Sequence, residues 1–391
     1  EFVSHASLLF RMGQINLLTD PFLFIEPPYN AIYTHFPPPQ QSAHTLPNLD
    51  FVYSSHIHND HCHTETLRVL HDKIGTVLLP AERPGLVEKY QALGFPSINV
   101  LTHGDTFTLA PGIELTAFWS DSVDTAMVLE CEGISALHLN DCGPSIALLE
   151  EIRSRFDLDY AFVAHTTLTD LYPLLLNRAD QSLRFVKYGQ EENYVRTQLE
   201  RLQLLAPKTV APYANTVVYV EKNQVYRNDL GRLTPPMFCK RLEQLALNAR
   251  FLVMQPGDVE NCKTQTLIES GDKRFWGNSL AEYLENLEAF LQIERDQLPA
   301  FDAGSIDSIR EPLIDYLDKR LESPIFYAFS DKCFGLEIFD AEQSFCLSID
   351  FSTPKISIGD DQHSQWLKLR LPASIVAMLL DQASDCIEIL Y

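Results

Sequence analysis

Apolar residues in the first 120 positions come in short runs separated by turn residues, a pattern that predicts strands rather than long helices. Ser7–Phe10 and Ile15–Thr19 flank Met12-Gly13 and read as a strand pair, with Leu49–Ser54, Val77–Leu79 and Ile98–Leu101 as further strands. Phe107–Leu109 and Ile113–Phe118 turn around Pro111-Gly112, and Thr125–Cys131 and Ile134–Leu139 around Glu132-Gly133, so both pairs are expected to be hairpins. The period becomes helical at Thr64–Asp72, at Arg83–Leu93 before Gly94, at Ser145–Phe156 and at Glu191–Leu204. Tyr160–Ala164, Thr209–Pro212 and Val217–Val220 return to strand character. Strands in succession with helices interposed predict layered sheets covered by helices, an α/β architecture.

Past about Thr264 the pattern changes. Leu280–Leu291 and Ile309–Leu321 are amphipathic, and Ile325–Phe329, Phe334–Phe339, Phe345–Ile349 and Lys355–Ile358 read as a four-strand meander closed by a helix at Ala373–Asp381. The expected division is therefore a larger domain over 1–265 and a smaller α+β domain over 270–391.

Composition narrows the functional classes. The chain has 391 residues, 46% hydrophobic and 21% charged, as an ordinary globular protein has. Its formal net charge of −23 opposes binding to phosphate backbones and anionic membranes, so neither nucleic acid nor a membrane is expected as a partner. The uncharged run Pro27–Leu49 is rich in proline and polar residues and cannot be a membrane span. Eight scattered cysteines without a Cys-x-x-Cys pair read as buried small hydrophobes of a reducing compartment, so a cytoplasmic location is expected. The sequence begins on Glu1 rather than Met, and an upstream piece is expected.

The chemistry concentrates in Ser55-His56-Ile57-His58-Asn59-Asp60-His61, just after an apolar strand and just before a helix. His56 and His58, two apart on extended chain, share a face and can hold one ion. Asp60 and His61, at the turn into the helix, face a second. Asp141 follows a strand and precedes Gly143, where its carboxylate can bridge both ions or cap the Ser145–Phe156 helix. Asp60 and Asp141 are the expected catalytic carboxylates. His165, at the end of Tyr160–Ala164, is a candidate last ligand of the second ion, or a hydrogen-bonding neighbour of it. His138 reads as a strand histidine. Tyr29, Tyr33 and Phe36 lie in the proline-rich loop and are either a substrate wall or packing aromatics of a connector. Arg178, Arg184, Lys187 and Tyr188 form a basic stretch that reads as solvated surface, with binding of a substrate carboxylate or phosphate as the alternative.

His56-x-His58-x-Asp60-His61 with Asp141 resembles the signature of the metallo-β-lactamase fold, an αββα sandwich. Val3-Ser4-His5-Ala6-Ser7, Leu17-Leu18-Thr19-Asp20-Pro21 and Glu26-Pro27-Pro28 resemble the opening of the metal-binding domain of the CMP-N-acetylneuraminate hydroxylases. Pro207–Tyr213 and Met254-Gln255-Pro256-Gly257-Asp258 resemble later landmarks of that family. The resemblance spans roughly 1–262 and extends to ascorbate-6-phosphate lactonase-like relatives. It implies two divalent metal ions, iron or zinc.

Departures from the pattern sharpen the functional reading. Hydrolases of this fold supply a third histidine to the first metal from the loop that here reads Trp119-Ser120-Asp121-Ser122-Val123-Asp124, with no histidine. Asp121 or Asp124 is left for that place, and Asp121, nearer the preceding strand, is the expected one. The histidine that many relatives carry after Ala211-Pro212-Tyr213 is missing too. A carboxylate-rich donor set favours iron over zinc. The expectation is thus a non-haem diiron oxygenase acting on a small polar or carrier-linked substrate. The alternative is a dinuclear hydrolase of an ester, lactone or phosphodiester, and a scaffold with a decayed site is a third reading. The hydroxylase family carries a Rieske cluster, but no Cys-x-His spacing for one occurs here, so a separate electron-donor protein or an upstream segment is expected to supply electrons.

Overall fold

The computed structural model describes residues 1–23, 33–81, 85–120, 124–166, 181–214, 216–219, 233–271, 274–277, 279–297, 306–321, 333–340, 343–350, 355–359, 367–373 and positions 376 and 380. Two compact units divide the chain, Glu1–Gln297 and Leu298–Tyr391.

The first sheet of the larger unit is built from β1 (Phe2–Ser4), β2 (Ser7–Met12) and β3 (Ile15–Thr19), then, past the short β4 (Tyr33–His35), from β5 (Leu49–Tyr53), β6 (Ile74–Pro80) and β7 (Ile98–Leu101), in the order β1-β2-β3-β5-β6-β7. The second sheet takes β8 (Thr106–Ala110), β9 (Ile113–Trp119), β10 (Thr125–Cys131), β11 (Ile134–His138), β12 (Tyr160–Ala164), β13 (Thr209–Tyr213) and, after β14 (Val217–Tyr219), β15 (Arg250–Phe251), in the order β15-β13-β12-β11-β10-β9-β8. The small β14 pairs with β4.

Both sheets are buried on both faces, which explains their nearly continuous apolar runs. Between them Leu17, Tyr53, Leu78, Leu115, Ala117 and Met127 form one core, and Phe2, Leu8, Phe162, Ala211 and Tyr213 another. Helices α1 (Thr64–Leu70) and α2 (Leu86–Ala92) contribute Leu67, Leu70, Leu86 and Tyr90 to the outer face of the first sheet. Helices α3 (Ile146–Arg155), α4 (Gln181–Leu205) and α5 (Pro235–Gln244) cover the second through Leu149, Ile152, Val195, Leu202, Phe238 and Leu242. The result is the helix–sheet–sheet–helix sandwich expected from the sequence.

Most elements lie where the pattern placed them, with strand ends shifted by up to three residues and α4 beginning ten residues before the expected Glu191. Helix α5 was not evident in the sequence, because Pro235-Pro236 looks like a loop. The pair in fact opens the helix behind the Thr234 cap, where no backbone N–H is needed. Helix α6 (Leu280–Gln297), grouped by pattern with the smaller domain, belongs to the larger unit, because Tyr283 and Phe290 pack on Phe36 and Tyr283 stacks on Trp276. The division between the compact units therefore falls further along the chain than the change of pattern near 263–275.

The smaller unit contains α7 (Ile306–Leu321) and a four-stranded sheet of β18 (Cys333–Phe339), β19 (Ser344–Asp350), β20 (Lys355–Ile358) and β21 (Leu367–Pro372), numbered after the β16 (Val259–Asn261) and β17 (Thr266–Ile268) hairpin. It is a mixed sheet rather than a meander, since β18 pairs in parallel with β21. The expected strand at 325–329 and His363 lie outside the described residues. Among the described residues, no helix is long and apolar enough to cross a membrane.

Candidate metal centre

The centre lies at one edge of the sandwich, where β3 and β5 of one sheet and β11, β12 and β13 of the other run parallel to their neighbours and end. Carboxyl ends of parallel strands leave loops free to converge there. The loop after β5 carries His56, His58, Asp60 and His61; the turn after β3 carries Asp20; the turn after β11 carries Asn140 and Asp141; and Asp124 stands just before β10.

These turns are tightly held. Asp20 (φ 38°) and Asn140 (φ 41°) adopt left-handed backbone that non-glycine residues rarely occupy. Asn140 is fixed by three hydrogen bonds. Its N–H donates to the Tyr213 hydroxyl (2.8 Å), its side-chain amide donates to the Thr125 carbonyl (2.6 Å), and its Oδ1 accepts from the Asp141 N–H (2.6 Å). Such strain persists only where the surroundings over-determine it, and here it aims Asp141 into the centre. The α3 helix is capped by Ser145, not by Asp141, which leaves that carboxylate to the centre.

Asp20 organises both halves. It is fully buried and accepts from the Ser55 N–H (2.7 Å) and hydroxyl (3.0 Å), and its Oδ2 lies 3.0 Å from His61 Nδ1. A carboxylate can only accept, so His61 Nδ1 carries a proton and Nε2 faces Asp141 Oδ2 (3.2 Å) and Asp60 Oδ2 (3.6 Å). The Ser55 hydroxyl, its proton given to Asp20, accepts from His56 Nδ1 (2.9 Å). His56 Nε2 is thereby turned to His58 Nδ1 (2.8 Å) and Asp124 Oδ1 (3.4 Å). One buried carboxylate sets the tautomer of two histidines, the usual way in which a neighbour orients a metal ligand. The sequence alone did not mark Asp20 for this role; its signals were its place at a strand end, ahead of Pro21, and the resemblance of Leu17–Pro21 to the opening of a metal-binding domain.

Electrostatics differ across the centre. Burial, with His61 and His58 nearby, lowers the His56 imidazole well below its ordinary range. Burial would also lower His61, but Asp60, Asp20 and Asp141 around it prevail and hold it well above that range. Burial would raise the Asp60 and Asp141 carboxyls, yet His61 beside them keeps both below their ordinary value. His138, lowered by burial, lies 3.1 Å from the Ala6 carbonyl and behaves as the strand histidine expected.

Among the described residues, three sets of side chains have ligand atoms close enough to hold an ion: His56, His58 and Asp124; His56, His61 and Asp141; and His5, Asp60 and His61. Donors about 2.0–2.2 Å from one ion stand about 3 Å apart. The separations of 2.8 to 3.6 Å given above match that edge length, and the donor set of imidazoles and carboxylates suits zinc or iron. His56 and His61 are fully buried, whereas His58 is exposed and Asp60 and Asp141 are about one-third exposed, so the centre opens to solvent on one side.

Other expected residues fare differently. Asp121 lies outside the described residues, while Asp124, the other candidate of that loop, reaches His56. His165 joins none of the three sets; its Nδ1 faces the Tyr213 carbonyl (3.1 Å) and its ring meets Trp276. Phe36 does not form a substrate wall, because it is fully buried against Phe275, Tyr283 and Phe290. Tyr29 lies outside the described residues, as do the side chains of Tyr33, Arg184, Lys187 and Tyr188 and the whole of Arg178.

A sequence profile described as "Beta-lactamase superfamily domain" matches residues 1–154, the stretch that holds every side chain of the three sets. The chain belongs to the metallo-β-lactamase superfamily. The chain is 37% identical over 370 residues to a Mycobacterium tuberculosis protein provisionally named a Rieske 2Fe-2S iron-sulfur protein, covering 85% of this chain and 68% of the relative. A similarly named Mycolicibacterium smegmatis protein is 36% identical over 95 residues, 24% of this chain and 18% of that one. Among solved structures, CmlA, a diiron beta-hydroxylase from Streptomyces venezuelae, aligns with a TM-score of 0.45 at 18% identity over 64% of this chain and 52% of its own. Igni18, a metallo hydrolase from Ignicoccus hospitalis, aligns with a TM-score of 0.46 at 15% identity over 70% and 97%.

Proposed function

We propose that this metallo-β-lactamase-superfamily protein is a dinuclear metalloenzyme, a non-haem diiron oxygenase for a small polar or carrier-linked substrate. His56, His58 and Asp124 would hold one ion, Asp60 and His61 the other, and Asp141 would bridge them. Asp124 takes the place expected for Asp121, because its carboxylate stands 3.4 Å from His56 Nε2. His165 is left out of the ligand set.

The observation that carries the reading is Asp124 itself. The first half of the centre combines two imidazoles with a carboxylate where hydrolases of the fold place a third imidazole, and a harder, oxygen-rich donor set favours iron. Iron would supply activation of dioxygen, and zinc in the same place would supply Lewis acidity for hydrolysis. The chain's own residues prepare the centre for either metal. Asp20 and Ser55 fix which nitrogens of His56 and His61 are free, and Asp60 and Asp141, held below the ordinary carboxyl range, stay ionised to bind metal on the side open to solvent. Electrons would come from an iron–sulfur protein, a proposal supported by the name of the 37%-identical relative.

The test is metal analysis of protein purified from iron-replete cells without added metal, followed by oxygen consumption with a chemical reductant. Two irons per chain with reductant-dependent oxygen uptake are expected. Two zincs with oxygen-independent cleavage of esters or lactones would establish the hydrolase instead.

A further inference from the structure

The second half of the proposed centre is short of nitrogen, since Asp60 and the bridging Asp141 flank a single imidazole, His61. Beside them, in the turn between β1 and β2, lies His5, which is fully buried. Its Nε2 is 3.2 Å from Asp60 Oδ2, and His5, Asp60 and His61 each offer a donor atom within 4.8 Å of the other two. We propose that His5 is a ligand of the second ion, a nitrogen donor brought from the start of the chain to the Asp60–His61 pair. The proposal rests on the dinuclear reading above and deepens it.

Three observations carry it. The first is a contact that is close but badly aimed. Nε2 and the Asp60 oxygen stand 3.2 Å apart, yet neither ring nitrogen of His5 makes a well-formed hydrogen bond. Buried polar groups are normally satisfied, and an orphaned one calls for an explanation such as an ion. A cation between nitrogen and oxygen explains both features: it holds two donors about 3 Å apart and aims each at itself rather than at the other.

The second observation is the backbone. His5 has φ 44°, where glycine would be the unstrained choice. The turn is nonetheless pinned on both sides, because the His5 N–H donates to Thr216 Oγ1 (3.0 Å) and its carbonyl accepts from the Ala214 N–H (2.9 Å). A side chain kept at a strained position and clamped to the segment after β13 is being held in place. The third is the ring's setting, edge-on to Phe22 at 5.4 Å and to His61 at 5.5 Å, which leaves its rotation little freedom.

The decisive variant is His5→Gly, which suits the backbone and leaves a space the size of imidazole. The full chain, stripped of metal and reloaded with cobalt(II), should take two ions per chain, whereas His5→Gly should retain one and lose the visible absorption of the second. Free imidazole at millimolar concentration should restore both the second ion and its absorption. His5→Phe, which keeps the packing but has no nitrogen, should also take one ion and should not respond to imidazole. Two tightly held ions in either variant would overturn the role of His5 and leave the dinuclear reading standing. Fewer than two ions in the unaltered chain would overturn both.

Discussion

In the proposed centre the two halves share Asp141 but are built differently. The His56–His58 half is local: two imidazoles from one three-residue stretch, joined by Asp124 across the sandwich, with His56 kept neutral by burial. The Asp60–His61 half is crowded with anions, and His61 is enclosed by Asp20, Asp60 and Asp141. Those carboxylates raise the proton affinity of His61 above its ordinary range, and a metal ion bound there would compete with protons for the same imidazole. The first half is therefore preset by its own sequence, and the second depends on side chains that only the fold gathers.

The largest effect should come from Asp141→Ala, which removes the one side chain common to both halves. Both ions should be lost, with metal content falling from two to less than one per chain by elemental analysis; retention of two would remove Asp141 from the centre. The paired change His56→Ala with His58→Ala should separate the halves by abolishing only the first ion. Unchanged content in that double variant would refute the assignment of the motif.

Asp20→Asn should act on both halves without touching either ion. Loss of a partner that orients ligands typically weakens metal binding by about 10–100-fold. Competition with a chelator should show that weakening for both ions, and an effect on one ion alone would confine Asp20 to His61. Asp124→Asn compared with Asp121→Asn sharpens the first half: the former should weaken the first ion by about tenfold and the latter should leave it unchanged, a loss of the kind that follows from replacing a carboxylate donor. If neither change alters loading, the carboxylate-for-histidine argument fails.

The smallest effect concerns stability rather than metal. His35 is lowered well below its ordinary value by burial, with His5 and His63 nearby, so it stays neutral in the folded chain. Below the unfolded value of about 6.5 the unfolded chain binds the proton and the folded chain does not, so stability is complete above that pH and declines as pH falls. Each unit of pH below it should cost about 1.4 kcal/mol from this residue. Urea midpoints of metal-free protein at pH 7 and 5.5 should show the decline, and His35→Phe should make it shallower.

The sequence by itself determined the layers and the core of the motif. Short apolar runs such as Thr125–Cys131 are strands because a sheet buried on both faces needs them, and His56-x-His58-x-Asp60-His61 keeps its donors within six residues, although the segment folds as bends and a turn, with the His61 N–H donating to the His58 carbonyl, rather than as the extended chain expected. Tertiary structure decided what spacing cannot encode. Asp20 and His5 come from the turns after β3 and β1, and they meet His61 only because β3 pairs beside β5 and the sheet carries the β1 turn to the same edge. Phe36 reads in the sequence as either a substrate wall or a packing aromatic, and only α6, far along the chain, decides for packing by closing over it. The physical reason is one of range: periodicity and turn chemistry act over a few residues, whereas burial and ligand convergence depend on segments that meet only when the two sheets pack.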